Sequence, residues 1–367
     1  MNIDREIIRI GIIGAGFART TQIPGFKNCD RAQVVAIASG RREHAEEVAR
    51  EFDIPHVADD WRSLIARDDI DLVSIVTPVV MHCDMALAAL DSGKAVLCEK
   101  PMAMDAEEAL RMLNRARQTK LLALIDHELR FLPGRIKMRD LLRSGKIGKV
   151  AHARLILSSD SRADVGRPWN WWSDITQGGG ALGALASHAI DGFRWMLGAE
   201  VSQVSANLGT HVKHRQDQKG ELQPVTTDDE ASLLLRFHDN DVAEDATGVV
   251  SVSTIEAGKP QHRLSVFGSE GALTIQDNEL SYAAVGAGEW EAIEVETGGL
   301  APGMRDNDWA RGFTRFAQEI VAALREGRKD VPGAATFEDG YRTQLVLDAA
   351  RKSNGGGKSE PLAVAGG

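Results

Sequence analysis

Short apolar runs rich in β-branched residues alternate with helical patterns over about the first 125 residues of the chain, which is typical of βαβ units. One helix face is marked by four apolar residues at the spacing i, i+3, i+4 and i+7, which are Ala45, Val48, Ala49 and Phe52. We expect a parallel sheet with helices on both faces, because parallel strands are usually buried on each side. The predicted strands are Ile7–Ile13, Gln33–Ala38, Leu72–Val76, Ala95–Cys98 and Leu121–Leu124.

The pattern changes after Arg130. It predicts a helix over Pro133–Arg143 and a strand over Lys149–Leu157. A segment without periodicity, rich in Trp, Asp, Arg and Gly, covers Ser158–Gly180 and is expected to be a loop before a helix near Leu182–Leu197. Because long loops are often functional, this segment is a candidate for ligand contacts.

Several strand-like runs separated by turn signals fill residues 201–296, and few helical patterns interrupt them. We therefore expect antiparallel pairing there. Amphipathic helices are predicted around Trp309–Ile320 and from about Glu338 to Ala350, and the glycine-rich segment Asn354–Lys358 is expected to form a mobile turn. Together the patterns predict an α/β protein of two domains, over residues 1–126 and 127–367.

The composition is ordinary for a soluble globular protein, with 367 residues, 43% of them hydrophobic and 26% charged. The formal net charge of −10 argues against nucleic-acid partners, because an acidic surface repels phosphate backbones. No apolar run reaches the ~18 residues that a membrane span needs, so no membrane association is expected.

The N-terminal segment and the cysteines indicate the cellular compartment, and the spacing of the cysteines also bears on metal binding. The segment Met1–Glu6 lacks the basic stretch of a secretion signal. Cys29, Cys83 and Cys98 are odd in number and show no metal-binding spacing. We therefore expect a cytoplasmic protein without a metal site.

A glycine turn follows the first predicted strand, in the order of strand, turn and helix that a dinucleotide site requires. The first glycine permits the turn, the second lets the backbone approach a pyrophosphate, and the helix N-terminus supplies N–H groups. The third small position of the motif is Arg19, so either the helix packs loosely on the strand, or it starts differently and Arg19 turns towards phosphate. The candidate cofactor-binding residues here are Gly14, Gly16, Phe17 and Ala18.

The second predicted strand ends without the carboxylate that usually binds the ribose 2′-hydroxyl of NAD. Ser39, Arg41 and Arg42 offer a hydroxyl and two guanidinium groups instead, which suit the 2′-phosphate of NADP. We therefore expect NADP as the cofactor, with NAD as the alternative. The two arginines can equally form a solvated first turn of a helix.

Three further motifs share the chain with this turn: Thr77-Pro78 and Glu99-Lys100-Pro101, each at the end of a predicted strand, and Gly178-Gly179-Gly180 followed by His188 and Asp191. In open α/β sheets, ligands lie beyond the carboxyl ends of the strands, where the first two motifs should be. With Gly271-Ala272-Leu273 and Phe337-Glu338-Asp339-Gly340, these motifs make nearly the whole chain resemble the glucose–fructose oxidoreductase/inositol dehydrogenase (Gfo/Idh/MocA) family.

The resemblance implies an N-terminal Rossmann domain and a C-terminal α/β domain with a large, open, mainly antiparallel sheet. Such a sheet often serves as a dimer interface, so a homodimer or homotetramer is expected. The family relationship also implies hydride transfer between a nicotinamide and a hydroxyl-bearing carbon of a sugar, cyclitol or related polyol. Lys100 matches the family's active-site lysine, and His188 its active-site histidine. The cofactor contacts expected at the strand ends are Thr77, Pro78, His82, Glu99 and Lys100.

These residue types suit the oxidation of an alcohol. Histidine titrates near neutrality and can accept the hydroxyl proton, while a lysine ammonium stabilises the developing negative charge. Many family members carry an aspartate one helical turn before the histidine, where this chain has Ala184, and an asparagine where it has Val79. Asp191 is our candidate for a replacement catalytic carboxylate, although it can equally cap a helix or pair with Arg194.

The tryptophan-rich loop is the best candidate for contacts to the substrate. Indole faces pack against the C–H faces of sugar rings, and neighbouring polar groups provide directional hydrogen bonds. The tryptophans can equally hold a long loop to the core. The expected substrate-binding residues are Lys100, Arg130, Arg167, Trp169, Trp171, Trp172 and His188.

The sequence thus predicts an NAD(P)-dependent dehydrogenase or reductase acting on CH–OH groups. One alternative is an epimerase or glycoside-cleaving enzyme of the same fold that retains its cofactor. Another is a nicotinamide-dependent regulatory protein that has lost catalysis, which the alanine at position 184 favours.

Overall fold

A computed structural model describes residues 6–363 of the chain, so Met1–Arg5, on which the expectation about a secretion signal rests, lie outside it. The chain folds into two compact units that interleave in sequence. The first unit contains the residues up to Leu132 together with Gly298–Tyr341, and the second contains Pro133–Thr297 and the residues from Arg342 onwards. The division expected from the sequence, after residue 126, treats the two domains as consecutive pieces instead.

Within residues 6–363, the first unit holds a seven-stranded sheet that is parallel except at one edge. Its first six strands are β1 (Ile8–Ile13), β2 (Ala32–Ala38), β3 (His56–Val57), β4 (Leu72–Ile75), β5 (Ala95–Cys98) and β6 (Ala123–Ile125). They lie in the order β6-β5-β4-β1-β2-β3, and the two-residue strand Ala335–Thr336 pairs antiparallel with β6. All five predicted strands are confirmed, although the last lies slightly later in the chain than expected.

The helices of the described chain alternate with these strands and then continue into the second unit. In order they are α1 (Ile23–Lys27), α2 (Arg42–Phe52), α3 (Trp61–Ile65), α4 (His82–Asp91), α5 (Ala106–Thr119), α6 (Pro133–Arg143), α7 (Ser187–Leu197), α8 (Asp308–Arg325) and α9 (Phe337–Gly356). We expected a mobile turn over Asn354–Lys358, but α9 extends to Gly356. The expectation is therefore wrong for residues 354–356. In the last turn of this helix, the Asn354 side chain accepts a hydrogen bond of 2.9 Å from the backbone N–H of Leu208.

Both faces of the parallel sheet are covered, as its unbroken apolar strands predict. Ile8, Ile10 and Ile12 of β1 belong to one core, together with Phe313 and Phe316 of α8. Residues from the opposite face, including Val73 and Ile75 of β4, form a second core with α4 and α5. The segment Gly298–Tyr341 returns to the first unit because the apolar face of α8 is buried there.

The second unit is built on a large, mainly antiparallel sheet, which confirms the expected architecture. Its main strands are β7 (Val150–Ser158), β8 (Val201–Gly209), β11 (Glu230–Phe237), β12 (Ala243–Ser253), β13 (Gln261–Gly268), β14 (Gly271–Gln276), β15 (Glu279–Ala284) and β16 (Glu291–Ile293), of which β16 lies at one edge. The strands β9 (His214–Gln216) and β10 (Leu222–Pro224) form a separate hairpin. The short strand Glu360–Pro361 adds to β8 at one edge, and β7 and β12 are parallel. Residues of α6 and α7 share one core with this sheet.

Among residues 6–363, every helix is too short or too polar to cross a lipid bilayer.

Replacing Gly340 by alanine should destabilise the protein by about 1–3 kcal/mol, since the new methyl group would overpack a filled core. A Cβ at this position of α9 would lie 2.6 Å from the Met102 sulfur and 2.8 Å from Ile125 Cγ1. Gly355→Ala, in the same helix but with open space around it, is the matched control and should be neutral or stabilising. Thermal unfolding followed by circular dichroism compares the two, and equal midpoints would contradict the expectation.

Candidate active site

Four chain segments meet at one edge of the parallel sheet. Gly14 follows β1, Thr77 lies just beyond β4, Lys100 lies just beyond β5 and Asp126 follows β6. These four strands are parallel neighbours in the sheet, so their carboxyl ends lie side by side. The structure thereby brings together the glycine turn and the two strand-end motifs that the sequence singled out.

The glycine turn has the form that a pyrophosphate requires. Gly14 has a φ of +114°, and a Cβ there would overlap the carbonyl oxygen of Val76. Gly16 has no atom within 4 Å of the position a Cβ would take, so its backbone is open to a ligand. Phe17 is partly exposed beside this opening, whereas Ala18 is fully buried under it. Both glycines therefore have the local geometry that the sequence motif predicts.

The helix after the turn begins unusually. Ala18–Gln22 form a wide π-type turn before α1, and Arg19 forms a 2.6 Å ion pair with Glu51. Of the two alternatives drawn from the sequence, the helix thus starts differently, but the Arg19 guanidinium binds a carboxylate of its own chain.

Gln22, at the end of this wide turn, is fully buried and connects three strands. Its amide nitrogen donates to Glu99 Oε1 at 2.9 Å and to Asp126 Oδ2 at 2.7 Å, and its oxygen accepts from the Ser74 hydroxyl. Burial raises the pKa of both carboxyl groups. The nearby charge of Lys100 opposes the rise for Glu99, whereas the charges of Glu128 and Glu99 add to it for Asp126.

His82 lies between the two strand-end motifs and contacts both of them. It is fully buried, with Nδ1 3.1 Å from the carbonyl oxygen of Pro101 and Nε2 2.9 Å from that of Thr77. Burial lowers the pKa of His82, although both carbonyl contacts act in the opposite direction. The Lys100–Pro101 peptide bond is cis. The imidazole therefore holds the loop that carries Lys100 against the loop that carries Thr77 and Pro78.

The two arginines after β2 have different surroundings. Arg42 donates to Glu46 at 2.9 Å and to Asp59 at 2.6 Å, so its guanidinium already has two carboxylate partners. Arg41 is exposed and, within the described residues, has no carboxylate within 4 Å. Its backbone N–H lies 3.4 Å from the Ser39 hydroxyl oxygen. Arg41 is thus the better placed of the two to bind a phosphate.

Arg130, expected to contact substrate, is buried and forms an ion pair of 3.1 Å with Asp339. Asp339 also accepts a 2.9 Å hydrogen bond from the backbone of Thr336. This geometry gives Arg130 a role in anchoring the Phe-Glu-Asp-Gly motif to the first unit.

In the second unit, His188 lies in the first turn of α7 and is almost completely buried. A second wide turn, Leu182–Ala186, precedes the helix and contains Ala184. The sequence interpretation assumed regular helical spacing between positions 184 and 188, so the wide turn changes their relative direction. The structure thus places Ala184 before His188 on a backbone that is not α-helical.

Asp191 is also buried, in the second turn of α7. Arg194, one of its possible partners, forms a bidentate pair with Glu200, with both N···O distances at 2.7 Å. Asp228 closes the start of the wide turn, because its carboxylate accepts a 2.6 Å hydrogen bond from the backbone N–H of Leu182. Burial raises the pKa of Asp228.

The sequence left two roles open for the tryptophans of the tryptophan-rich loop, which are contact with substrate and attachment of the loop to the core. Trp169 is used structurally, since its indole N–H donates to the carbonyl of Pro224 at 3.0 Å. Trp171 is exposed, and Trp172 lies under the guanidinium of Arg162, 4.6 Å from the ring centre. Arg167 is exposed and donates to the carbonyl of Ser161 at 2.8 Å. Trp171 and Trp172 therefore remain the stronger candidates for contact with a ligand.

Sequence reasoning missed several residues that organise these sites. Gln22 had no usable signal, because it follows three polar residues and nothing in its neighbours indicates the strands it joins. Asp228 and Arg215 have no sequence motif around them. Their roles depend on contacts with residues far away in the chain, Leu182 for the first and the Arg162–Arg167 segment for the second.

Comparison with known proteins agrees with this arrangement. The family model described as "Oxidoreductase family, NAD-binding Rossmann fold" matches residues 8–127, and the "GFO/IDH/MocA C-terminal domain" matches residues 136–274. An uncharacterized oxidoreductase of Synechocystis is 32% identical, covering 95% of this chain and 94% of its own. Levoglucosan dehydrogenase of Pseudarthrobacter phenanthrenivorans is 29% identical over 94% of this chain and 96% of its own.

A solved structure of levoglucosan dehydrogenase in complex with NADH and L-sorbose has a TM-score of 0.86 at 28% identity, covering 98% of this chain and 99% of that one. The similarity therefore extends over both units, and the sequence match includes the glycine turn and the Glu-Lys-Pro motif. The chain belongs to the Gfo/Idh/MocA family of NAD-binding oxidoreductases.

Proposed function

We propose that the protein transfers a hydride between a nicotinamide cofactor, NADP in preference to NAD, and a hydroxyl-bearing carbon of a sugar, cyclitol or related polyol. The observation that carries this proposal is the open glycine turn after β1 together with Lys100 at the same edge of the sheet, beyond β5, which is two strands away from β1. Similarity to a dehydrogenase solved with NADH and L-sorbose supports the substrate class.

The residues present fit a dinucleotide. The open backbone at Gly16 would receive the pyrophosphate, and the exposed Arg41, with Ser39 beside it, would receive a 2′-phosphate. Thr77 and Pro78 would border the cofactor at the end of β4. When bound, the nicotinamide supplies the acceptor or donor of hydride.

The chain's own residues would handle the proton and the charge. His188 would accept the hydroxyl proton, which is a common role for an imidazole in catalysis. The Lys100 ammonium would stabilise negative charge that develops on an oxygen of the substrate. His82, bonded to the carbonyls of Thr77 and Pro101, acts as a positioning residue for the Lys100 loop.

Beneath Lys100, Glu99 and Asp126 form a buried carboxyl pair bridged by Gln22. Because burial raises both pKa values, the pair tends to retain protons instead of placing two negative charges beside the lysine.

Lys100→Met should lower kcat by at least ~100-fold while changing the Kd for NADP less than about threefold, because the ammonium acts on the reacting oxygen. Turnover with a panel of sugars and polyols is measured from the nicotinamide absorbance, with products identified by mass spectrometry. Lys329→Met, at an exposed lysine of the same unit, is the control and should leave kcat unchanged.

Unchanged turnover in Lys100→Met would contradict the assigned role. Product formed by the wild-type protein without net change in absorbance would favour the cofactor-retaining enzyme instead. Tight NADP binding without any product would favour the regulatory protein.

Arg41→Ala should raise the Kd for NADP at least ~10-fold while leaving the Kd for NAD within about twofold, because only NADP carries the 2′-phosphate. Arg42→Ala is the matched control, and its effect should be smaller because Arg42 is already paired with Glu46 and Asp59. Calorimetric titration of the wild type and both variants with each nucleotide measures the six dissociation constants. Equal losses for NAD and NADP in Arg41→Ala would remove the argument for a phosphate contact.

Asp126→Asn should reduce the loss of stability that the wild-type protein shows as the pH rises. Both carboxyl pKa values are raised in the folded state, so the folded protein binds more protons, and stability falls from about pH 4 up to the raised pKa values. Thermal midpoints between pH 4.5 and 8 test this, with the exposed Asp330→Asn as control. Parallel pH profiles for wild type and Asp126→Asn would show the prediction to be wrong.

A further inference from the structure

Arg162 of the tryptophan-rich loop is buried without a carboxylate partner. Its side chain belongs to a residue that is only 7% exposed, and a buried arginine is normally paired with an anion. Among residues 6–363, no carboxylate oxygen lies within 4 Å of its guanidinium, and its one side-chain hydrogen bond is a long one, 3.4 Å from Nη2 to Asn170 Oδ1. Stacking on the Trp172 ring offsets only part of the cost of burial.

Two other arginines, Arg215 and Arg167, lie near Arg162 and have structural roles. Arg215, also buried, donates to the carbonyl oxygens of Arg162 at 2.5 Å and Asp164 at 2.7 Å, and so fixes the loop backbone. Arg167 donates to the carbonyl of Ser161 at 2.8 Å. In contrast to these two, Arg162 has no short hydrogen bond from its side chain in the described part of the chain.

Three carboxylates of the loop and of the second unit accept hydrogen bonds from backbone N–H groups. Asp164 accepts from the N–H of Gly166 at 2.8 Å, and Asp174 accepts from that of Thr176 at 2.9 Å. Asp229 accepts from the N–H groups of His211 and Val212, at 2.7 and 2.9 Å. These carboxylates therefore stabilise turns and do not neutralise Arg162 directly.

Two further hydrogen-bond donors of the loop lack an acceptor. Within the described residues, the buried indole Nε1 of Trp172 and the buried hydroxyl of Ser173 make no hydrogen bond. A buried donor without a partner costs stability, and such donors often mark a site that a ligand completes. This part of the loop thus has more positive charge and more hydrogen-bond donors than its own acceptors can satisfy.

We propose that Arg162 binds an anionic group of the substrate, so that the preferred sugar carries a carboxylate or a phosphate. This inference rests on the proposed function and narrows its substrate class. A planar guanidinium that is fixed on an indole ring and has free N–H groups is suited to bind either anion through two hydrogen bonds.

The loop is tied to the backbone that leads to His188. The Trp172 carbonyl accepts from the Thr227 hydroxyl at 2.9 Å, and a Cβ on Gly179 would overlap that same carbonyl. Asp228, next to Thr227, holds the start of the wide turn before α7. An anion bound at Arg162 would thus be held by a segment whose position is coupled to that of the histidine.

The charge environment agrees with the geometry. The pKa of Arg162 is lowered to about 10, first by burial and then by the positive charges of Arg167 and Arg215, while Asp229 acts in the opposite direction. A bound anion would relieve this repulsion and compensate the burial of the charge.

The test compares three ligands by calorimetric titration without nucleotide: D-glucose, D-glucuronate and D-glucose 6-phosphate. The wild-type protein should bind at least one of the two anionic sugars ~10-fold more tightly than glucose. Comparing glucuronate with glucose 6-phosphate shows whether a carboxylate or a phosphate is preferred. Arg162→Met should abolish that preference. Arg162→Lys, which keeps the charge, should retain part of it and remains informative if the methionine variant does not fold.

Arg154→Met is the matched control, because Arg154 also stacks on an aromatic ring of the second unit, 5.6 Å from the centre of Phe267. This variant should keep the preference for anionic sugars. Equal affinity for all three ligands in the wild-type protein, or an unchanged preference in Arg162→Met, would overturn the inference even if neutral sugars reduce the nicotinamide. A preference lost only at Arg162, without any turnover, would support this inference and count against the proposed function.

Discussion

The carboxamide of Gln22 is the contact on which the nucleotide-binding unit depends. It is buried among the ends of β4, β5 and β6, where it satisfies Ser74, Glu99 and Asp126 together. Removing it would leave two buried carboxyl groups without their shared donor, which is costly in a low-dielectric interior. The wide turn Ala18–Gln22 is what allows this side chain to reach inwards directly after the glycine turn. The glycine turn and the loop that carries Lys100 are thus fixed by one residue.

The arginines of this chain differ in function according to how their N–H groups are used. Arg42 and Arg19 are paired with carboxylates of the protein, and Arg215 is bonded to backbone carbonyls. Arg41 and Arg162 have no such partners in the described residues, one in solvent and one in the interior. Composition gives all five the same charge, and only their surroundings separate structural arginines from candidates for binding.

Local patterns predicted much of this structure. The strands of the parallel sheet, the helix over Pro133–Arg143 and the large antiparallel sheet all follow from periodicity and from the family motifs, because each element buries a face that its own sequence encodes. Gly14 and Gly16 were also identifiable, since their geometry depends on the absence of a side chain. The wide turns at Ala18–Gln22 and Leu182–Ala186 were not, because helical periodicity does not distinguish them from regular turns over so few residues. Gln22 and Arg215 depend on distant partners, which no local pattern encodes.

The interleaving of the two units has a consequence for how the chain must be made. Phe313 of α8 packs edge-on against Phe26 at 5.3 Å, and Phe316 stacks on Phe131 at 4.5 Å, so the first unit lacks these rings until long after its parallel strands have been translated. The second unit likewise awaits Val346 and Leu347 from the last helix. A ribosome must therefore release the chain through the last of these core residues before both cores can close. Until then the nascent chain presents unfinished apolar surfaces, which are natural substrates for chaperones.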